Sequence, residues 1–263
     1  MWMFRLLAVL AIVAAIAPCG SSAAVAEDMR EVLAPTGKLR IGVYPGSPLS
    51  MVQDSKTGET HGLSIDLGTA LAKRLGVPVE RVTYQRIADV LDGMKAGEVD
   101  FTVSNATPAR ARDVAFSQTL LSLELGYLVP AGSSIEAASA VDKTGTRVGV
   151  TQGSTSERAL PTLLRSATVV PAQNLKQAIL MFEKRELDAF ATNKPILFEM
   201  SDQMAGSRVL DGRWGVEHVA VAIPQGRDAG MDYLRGFVRE TQSNGLLAQA
   251  VEHAGLRGAA KAE

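Results

Sequence analysis

Residues 99–117 place an arginine where a predicted strand runs into the start of a helix, an arrangement able to bind an anion. Alternating apolar and small or polar residues over 99–103 predict a strand, and Thr107 and Pro108 predict the N-cap and first residue of a helix. Arg110 then falls near the third helical residue, beside the unpaired N–H groups of the helix start. A guanidinium fork suits a carboxylate, so we predict a carboxylate site here; the alternative is a solvent-exposed surface arginine.

The first residues have the pattern of a secretory signal peptide. One arginine precedes the apolar run 6–17, and small residues follow as far as Ala26. The run is shorter than the roughly 20 residues that a membrane-spanning helix needs, so an uncleaved anchor is the weaker alternative. We therefore predict a signal peptide at 1–26 and an exported, periplasmic chain.

The single cysteine, Cys19, lies inside this leader. Residues 16–19 resemble a bacterial lipoprotein box, although Pro18 stands where a small residue is usual before the modified cysteine. Lipid anchoring at Cys19 is thus the less favoured alternative to cleavage after Ala26. Cleavage leaves a chain without cysteine, so the fold has to be held by its core rather than by disulfides.

Charge and motifs argue against several classes of function. The formal net charge is −1, the basic residues are scattered and only 5% of residues are aromatic, which predicts no nucleic acid partner. His61, His218 and His253 are far apart in the sequence, with no cysteine or paired carboxylate at ligand spacing, so we expect no metal. The sequence has no phosphate-loop, dinucleotide-binding or nucleophile-elbow motif, and we expect no cofactor.

The hydrophobic period switches repeatedly between that of a strand and that of a helix. Predicted strands are 38–44, 79–84, 99–103, 147–150, 168–170, 187–191 and 219–223, with a further extended segment at 120–129. Predicted helices are 64–75, 87–94, 155–164 (broken near Pro161), 174–184, 231–241 and 246–253. Two βαβαβ units, separated by a small-residue connection at 131–140, predict an α/β fold with a cleft between two lobes.

Three groups of short segments carry a family resemblance: GKLRIGV at 37–43 with HGLSIDL at 61–67 and AKRLGV at 72–77; TPAR at 107–110 with FS at 116–117; and VGVTQGST at 148–155 with LDAF at 187–190. In this order and spacing they resemble the bacterial extracellular solute-binding proteins, family 3, of the polar amino acid type. The resemblance implies the type II periplasmic binding protein fold, in which each lobe is a mixed sheet flanked by helices. It places lobe 1 at 37–122 plus 219–257 and lobe 2 at 123–218.

Position by position, the resemblance assigns a role to several residues. Arg110 would bind the ligand's α-carboxylate, and Asn105 would support it with a hydrogen bond. Thr155, at a helix start, would close on the same carboxylate from the second lobe; plain helix capping is the alternative, and the two roles are compatible. Val103, on the strand before Asn105, is a further expected ligand contact.

Three positions depart from the family pattern. Asn193 stands where members carry the Asp that pairs with a ligand α-ammonium, and an amide supplies no opposing charge. We therefore expect the demand for an α-ammonium to be relaxed. Ile87 occupies the position of a frequent stacking aromatic, and the first-strand loop is about one residue shorter. Tyr44 is the candidate for the side chain that lines the ligand pocket in place of the missing aromatic. The alternative is that Tyr44 is an ordinary loop residue.

The resemblance implies the periplasmic solute-binding component of an ABC importer. Such a protein binds an amino acid or related organic acid by hinge closure and presents it to a permease at the inner membrane. We expect a monomer without catalytic residues. Two alternatives stay open: a cyclohexadienyl-dehydratase-like enzyme on the same fold, with Glu157 as general acid, and a soluble ligand sensor that contacts a receptor.

Overall fold

The computed structural model describes residues 28–54 and 56–260. The predicted signal peptide and the predicted lipidation site at Cys19 lie outside these residues. Within the described part of the chain, no helix has the length and apolar character needed to cross a membrane.

The first lobe is built from alternating strands and helices. After a helical segment at 28–33, its elements are β1 (Leu39–Val43), β2 (Val52–Gln53), β3 (Thr60–His61), α1 (Leu63–Leu75), β4 (Val79–Thr83), α2 (Ile87–Lys95), β5 (Thr102–Asn105) and the long strand β6 (Val114–Val129). Strands β1 and β4 pair in parallel, and a bridge from Ile41 to Phe101 joins β1 to the segment that leads into β5.

Helix α1 illustrates how the sequence forms the core of this lobe. Leu67, Leu71 and Leu75 recur at helical spacing and are fully buried against β1 and its neighbours. Gly76, with φ of 69°, takes the left-handed conformation that ends the helix. Gly68 brings the helix close to the sheet, since a Cβ there would lie 2.4 Å from Cδ1 of Ile41.

The second lobe repeats this pattern. Its elements are β7 (Arg147–Thr151), α3 (Thr155–Leu163), β8 (Thr168–Ala172), α4 (Leu175–Glu183), β9 (Ala189–Asn193), α5 (Lys194–Asp202) and β10 (Arg208–Val209). Strand β7 pairs in parallel with β8 and β9. Separate apolar cores, with Val150 and Leu160 in one and Ala178 and Phe190 in the other, hold the lobe together.

Two long antiparallel strands cross between the lobes. The chain returns to the first lobe through β11 (Gly215–Pro224), followed by α6 (Asp228–Ser243), α7 (Leu246–His253) and β12 (Ala259–Ala260). Strand β11 pairs with β5 and β6, whereas β6 also pairs with β9 of the second lobe. Glu217 of β11 lies opposite Leu123 of β6 in this crossing. The lobe boundaries at 122/123 and 218/219 stay a prediction, and both fall within these strands.

The segment around Arg110 differs from the predicted helix. Arg110–Arg112 forms a single 3-10 turn, after which the chain extends into β6. The predicted capping contact is present, because Thr107 Oγ1 accepts a hydrogen bond from the Arg110 N–H at 3.2 Å. The turn stops after three residues because pairing with β11 takes over at Val114.

Two features of the second lobe also differ from the sequence prediction. Pro161 lies inside α3 without breaking it, and the Leu164 N–H still reaches the Leu160 carbonyl at 2.8 Å. Helix α5 was not predicted; it starts directly after β9, with Asn193 as N-cap and Pro195 in its first turn. In contrast, α4 begins within one residue of its predicted start, and Asn174 is its N-cap, since Asn174 Oδ1 accepts the Gln177 N–H at 2.9 Å.

Candidate functional site

A cavity between the two lobes brings together every ligand-binding residue predicted from the sequence. The predicted residues that line it are Tyr44, Ile87, Val103, Asn105, Arg110, Thr155 and Asn193. Further residues that were not among the predicted ligand contacts also line it: Leu49, Gln85, Arg86, Ser104, Thr151, Ser154, Leu175, Thr192, Ile196 and Glu217. Strand ends and helix starts of both lobes therefore meet at this one place.

Arg110 is buried at the base of the cavity, with 5% of its surface exposed. Its Nη1 donates to Ser104 Oγ at 2.9 Å and to the Asn105 carbonyl at 3.3 Å. Its Nε is buried and has no hydrogen-bond partner among the described residues. Burial lowers the pKa of Arg110, and the nearby Glu217 carboxylate opposes that shift. The residue is thus a buried cation with an unused donor, and the surface-charge alternative is wrong.

Glu217 is the carboxylate of this cavity, and it is 6% exposed. Its Oε1 accepts a hydrogen bond from Thr155 Oγ1 at 2.7 Å, and its Oε2 accepts one from Asn193 Nδ2 at 3.1 Å. Both donors are neutral side chains of the second lobe. Because Glu217 sits where β11 crosses between the lobes, it ties that crossing to the start of α3 and the end of β9.

The N-cap of α3 is Ser154 and not its neighbour Thr155. The Ser154 Oγ accepts the Glu157 N–H at 3.1 Å. Glu157 Oε2 in turn accepts the Gly153 N–H at 2.6 Å, so this carboxylate is folded back onto its own loop. The Thr155 hydroxyl is left to bond Glu217, and Glu157 does not line the cavity.

Asn193 has two structural contacts at the end of β9. Its Oδ1 accepts the Ile196 N–H at 3.2 Å and caps α5, while its Nδ2 donates to Glu217. The side chain is 4% exposed. The amide is therefore fixed by both of its ends rather than free to turn.

Tyr44 and Ile87 form an apolar wall in the first lobe. Both are 9% exposed and pack with Val90 in one small cluster. The Tyr44 N–H donates to Ser50 Oγ at 2.7 Å, which fixes the loop after β1. Burial raises the pKa of Tyr44, so its hydroxyl stays protonated at neutral pH. Tyr44 is thus a buried part of the cavity rather than an ordinary loop residue.

The lobes touch at the mouth of the cavity. Arg86 of the first lobe donates from Nη1 to Gln152 Oε1 at 2.8 Å and to the Gln173 carbonyl at 3.4 Å. Beside this contact, Gly153 approaches Ala88 so closely that a Cβ on the glycine would lie 2.5 Å from the alanine Cβ. The cleft is therefore closed in this arrangement.

The sequence reasoning missed Glu217, although a signal for it was present. The predicted strand began at Val219, but the same two-residue alternation extends back through Glu217. Val219 and Val221 are fully buried, so an acidic residue two positions earlier falls on a buried side of the strand. A buried carboxylate seldom occurs without a role in pairing or recognition.

The histidines lie outside the cavity. His61 and His253, distant in sequence, are neighbours in space with ring centroids 5.3 Å apart, and His253 Nδ1 lies 2.8 Å from Asp66 Oδ2. The hydrogen bond with Asp66 raises the pKa of His253. Across residues 28–54 and 56–260, no three His, Cys, Asp or Glu side chains form a set able to hold a metal ion.

Comparison with solved structures confirms the two-lobed fold. The ancestral amino acid-binding protein AncCDT-1, a precursor of cyclohexadienyl dehydratase, is 25% identical with a TM-score of 0.74, over 86% of this chain and 98% of that one. An amino acid ABC transporter substrate-binding protein from Streptococcus pneumoniae Canada MDR_19A, bound to L-arginine, is 19% identical with a TM-score of 0.75, over 89% of this chain and 99% of that one. These neighbours share the type II periplasmic binding protein architecture.

Sequence comparison gives the family. The ABC transporter glutamine-binding protein GlnH of Bacillus subtilis (strain 168) is 23% identical over 241 residues, which is 88% of each chain. The glutamine-binding protein of Geobacillus stearothermophilus is 27% identical over 188 residues, covering 69% of this chain and 70% of that protein. The sequence pattern of one family matches residues 39–254. The chain belongs to that family, the bacterial extracellular solute-binding proteins, family 3.

Proposed function

We propose that this protein is the solute-binding component of an ABC importer and captures a small carboxylate-bearing solute, an amino acid or a related organic acid, between its lobes. The observation that carries the proposal is Arg110, a buried cation in the interlobe cavity whose Nε has no partner among the described residues. A buried charge is costly unless an opposite charge or hydrogen bonds compensate for it. A ligand carboxylate would supply both.

The relatives support a ligand of this class. The two curated relatives bind glutamine according to their names, and the Streptococcus pneumoniae structure holds L-arginine. Both ligands are amino acids with a free α-carboxylate. We propose that Arg110 binds this group in the present protein, with Ser104 and Asn105 holding the guanidinium in place.

Capture proceeds by closure of the lobes around the solute. The ligand first meets Arg110 and the wall of Tyr44 and Ile87 in the first lobe. The second lobe then adds the Thr155 region, and Arg86 bonds across the mouth to Gln152. A solute that contacts both lobes favours the closed form because its contacts are complete only there. The permease would recognise that form.

We propose that the protein catalyses no reaction on its ligand. The enzyme alternative relied on Glu157 as general acid, and this carboxylate is bound to the Gly153 N–H on its own loop, away from the cavity lining. The sensor alternative differs from the importer proposal only in the partner that binds the closed form, which would be a receptor instead of a permease. The glutamine-binding relative named as part of an ABC transporter favours a permease.

The family is extracellular, so the protein functions outside the cytoplasm. We propose more narrowly that residues 1–26 act as a cleaved signal peptide and that the released chain is a periplasmic monomer. Mass spectrometry of the exported protein would test this. An N-terminus at residue 27 is expected, whereas a lipid-modified Cys19 would contradict the proposal.

The carboxylate site is tested by replacing Arg110. A thermal-shift panel of L-amino acids and their deaminated acids identifies ligands, and calorimetry then measures Kd for the wild type, Arg110→Ala and Arg110→Lys. Removing one partner of a buried charge pair typically costs about 2–5 kcal/mol, so Arg110→Ala should weaken binding about 30-fold or more. The lysine variant should also bind weakly, because an ammonium lacks the planar fork.

Arg112 provides the matched control, since it is an exposed arginine of the same 3-10 turn. Arg112→Ala should keep the wild-type Kd. Undiminished affinity of Arg110→Ala would refute the assignment, and a wild type that binds no member of the panel would refute the ligand class.

A further inference from the structure

We propose that Glu217 pairs with the α-ammonium of the ligand and so makes this protein selective for zwitterionic amino acids. The resemblance implies an Asp at position 193, where this chain has Asn, and a carboxylate is supplied instead by Glu217 on the crossing strand β11. This inference rests on the proposed function, since it takes the ligand carboxylate to lie on Arg110. It is an alternative to the expectation that Asn193 relaxes the demand for an ammonium, and the experiment below distinguishes the two.

The contacts of Glu217 place its charge beside Asn193, where the ligand ammonium is expected. Its Oε2 lies 3.1 Å from Asn193 Nδ2, so the carboxylate adjoins the residue that the resemblance places beside the ligand ammonium. Its other hydrogen bond comes from the hydroxyl of Thr155 at 2.7 Å. Both donors are neutral, and they orient the carboxylate without cancelling its charge. A carboxylate has about four acceptor positions, which leaves capacity for an ammonium.

Charges in the cavity are opposite but separate. Arg110 and Glu217 line the same cavity, and neither forms an ion pair within 4.0 Å with any side chain of the described residues. Each is more than nine-tenths buried, at 5% and 6% exposure. An α-amino acid carries its carboxylate and ammonium on one carbon. It could satisfy both buried charges at once, whereas a deaminated acid would compensate only Arg110.

An amide at position 193 is compatible with a carboxylate at position 217, because it can donate a hydrogen bond to it. Its Oδ1 is used to cap α5 through the Ile196 N–H, so its Nδ2 is the end presented to Glu217. An aspartate at 193 would place a second carboxylate against Glu217, and like charges at hydrogen-bond distance repel strongly. Asn193 and Glu217 therefore act as a pair in which the carboxylate lies on β11 instead of on β9.

The test compares an amino acid with its deaminated twin, which has the same side chain and carboxylate. For wild-type protein, calorimetry should give a Kd for the amino acid at least about 30-fold below that of its twin. Glu217→Gln keeps the shape of the side chain but removes the charge. This variant should raise the Kd for the amino acid about 30-fold and change the Kd for the twin by less than about threefold. Glu136→Gln, at an exposed carboxylate, should change neither.

A charge-swap variant gives the second readout. Asn193→Asp with Glu217→Gln returns the carboxylate to β9 and should recover part of the selectivity, whereas Asn193→Asp alone should destabilise the protein through repulsion. Thermal unfolding verifies that each variant folds.

Equal loss of both ligands in Glu217→Gln would overturn the inference, because it would mean that Glu217 only holds the lobes together. A wild type that binds both ligands equally would also overturn it. The Arg110→Ala experiment fails or succeeds independently of these results, so the two proposals can be separated.

Discussion

The contact between Gly153 and Ala88 makes lobe closure testable with a single methyl group. Gly153 belongs to the loop before α3 in the second lobe, and Ala88 lies in the first turn of α2 in the first lobe. A Cβ on Gly153 would lie 2.5 Å from the Ala88 Cβ, whereas ordinary contact begins at 3.4 Å. Gly153→Ala should therefore hold the lobes apart by about 1 Å at the mouth of the cleft.

The size of the effect follows from the steric overlap. Forcing an extra methyl group into a packed contact typically costs about 1–3 kcal/mol, which corresponds to a loss of affinity of about 5-fold to 150-fold. Gly153 has φ of +76°, so alanine is also strained there by about 1–2 kcal/mol. That strain is local to the loop and present whether the lobes are open or closed. It lowers stability but cancels from the closing equilibrium.

Two further variants separate overlap from strain. Gly145→Ala, in the same lobe, meets nothing within 4 Å but has φ of +88°, so it should lose stability and keep its affinity. Ala88→Gly removes the opposing methyl group, and in combination with Gly153→Ala it should restore binding without restoring stability. Calorimetry gives Kd and urea unfolding gives stability. If Gly153→Ala binds as tightly as the wild type, the two lobes do not close to this contact around the ligand.

Two predictions concern the core of the first lobe. Asp100 is fully buried and accepts hydrogen bonds from Arg40 and Arg227, each at 2.8 Å, so Asp100→Ala should destabilise the protein by about 3–5 kcal/mol in urea unfolding. Burial alone would raise the pKa of Asp100, but the two guanidinium groups hold it below its ordinary value. The ionised Asp100 therefore contributes its full stabilisation above the unfolded-chain pKa of about 3.9, and this stabilisation is lost as the pH falls through the lower folded-state pKa. Asp100→Asn should abolish this acid dependence. Gly68→Ala should cost about 1–3 kcal/mol because its Cβ would meet Cδ1 of Ile41, and Ile41→Val, which removes that atom, should recover part of the loss; no recovery would place the overlap elsewhere.

The fold could be predicted where local patterns were strong. Helix α7 has the predicted bounds, 246–253, and α1 differs from its prediction by one residue. The apolar faces of these helices and their glycine or polar ends determine them locally. The turn at Arg110 could not be predicted in this way, because its length depends on where β6 begins to pair with β11, which is a contact between distant segments.

The site shows the same division between local and distant information. The seven predicted residues line one cavity because most of them lie at a strand end or at the start of a helix or 3-10 turn, where a cleft in this fold forms. Glu217 was missed because its position depends on the register of β11 against β6 at the crossing between lobes. A single sequence contains the alternation of that strand but not the register that brings Glu217 to Thr155 and Asn193.

The role that we propose for Arg110 would link ligand binding to lobe closure through the electrostatics of its buried charge. In the closed cleft its guanidinium is almost completely removed from water, and burial lowers its pKa, which means that closure alone disfavours the charged form. A carboxylate that reaches the unpaired Nε compensates for this cost, and the compensation is largest when the lobes exclude water. A ligand held in the proposed way would therefore bind the closed form more tightly than the open form. On the proposed function, this difference in affinity would shift the lobes toward closure and allow a permease to distinguish loaded from unloaded protein.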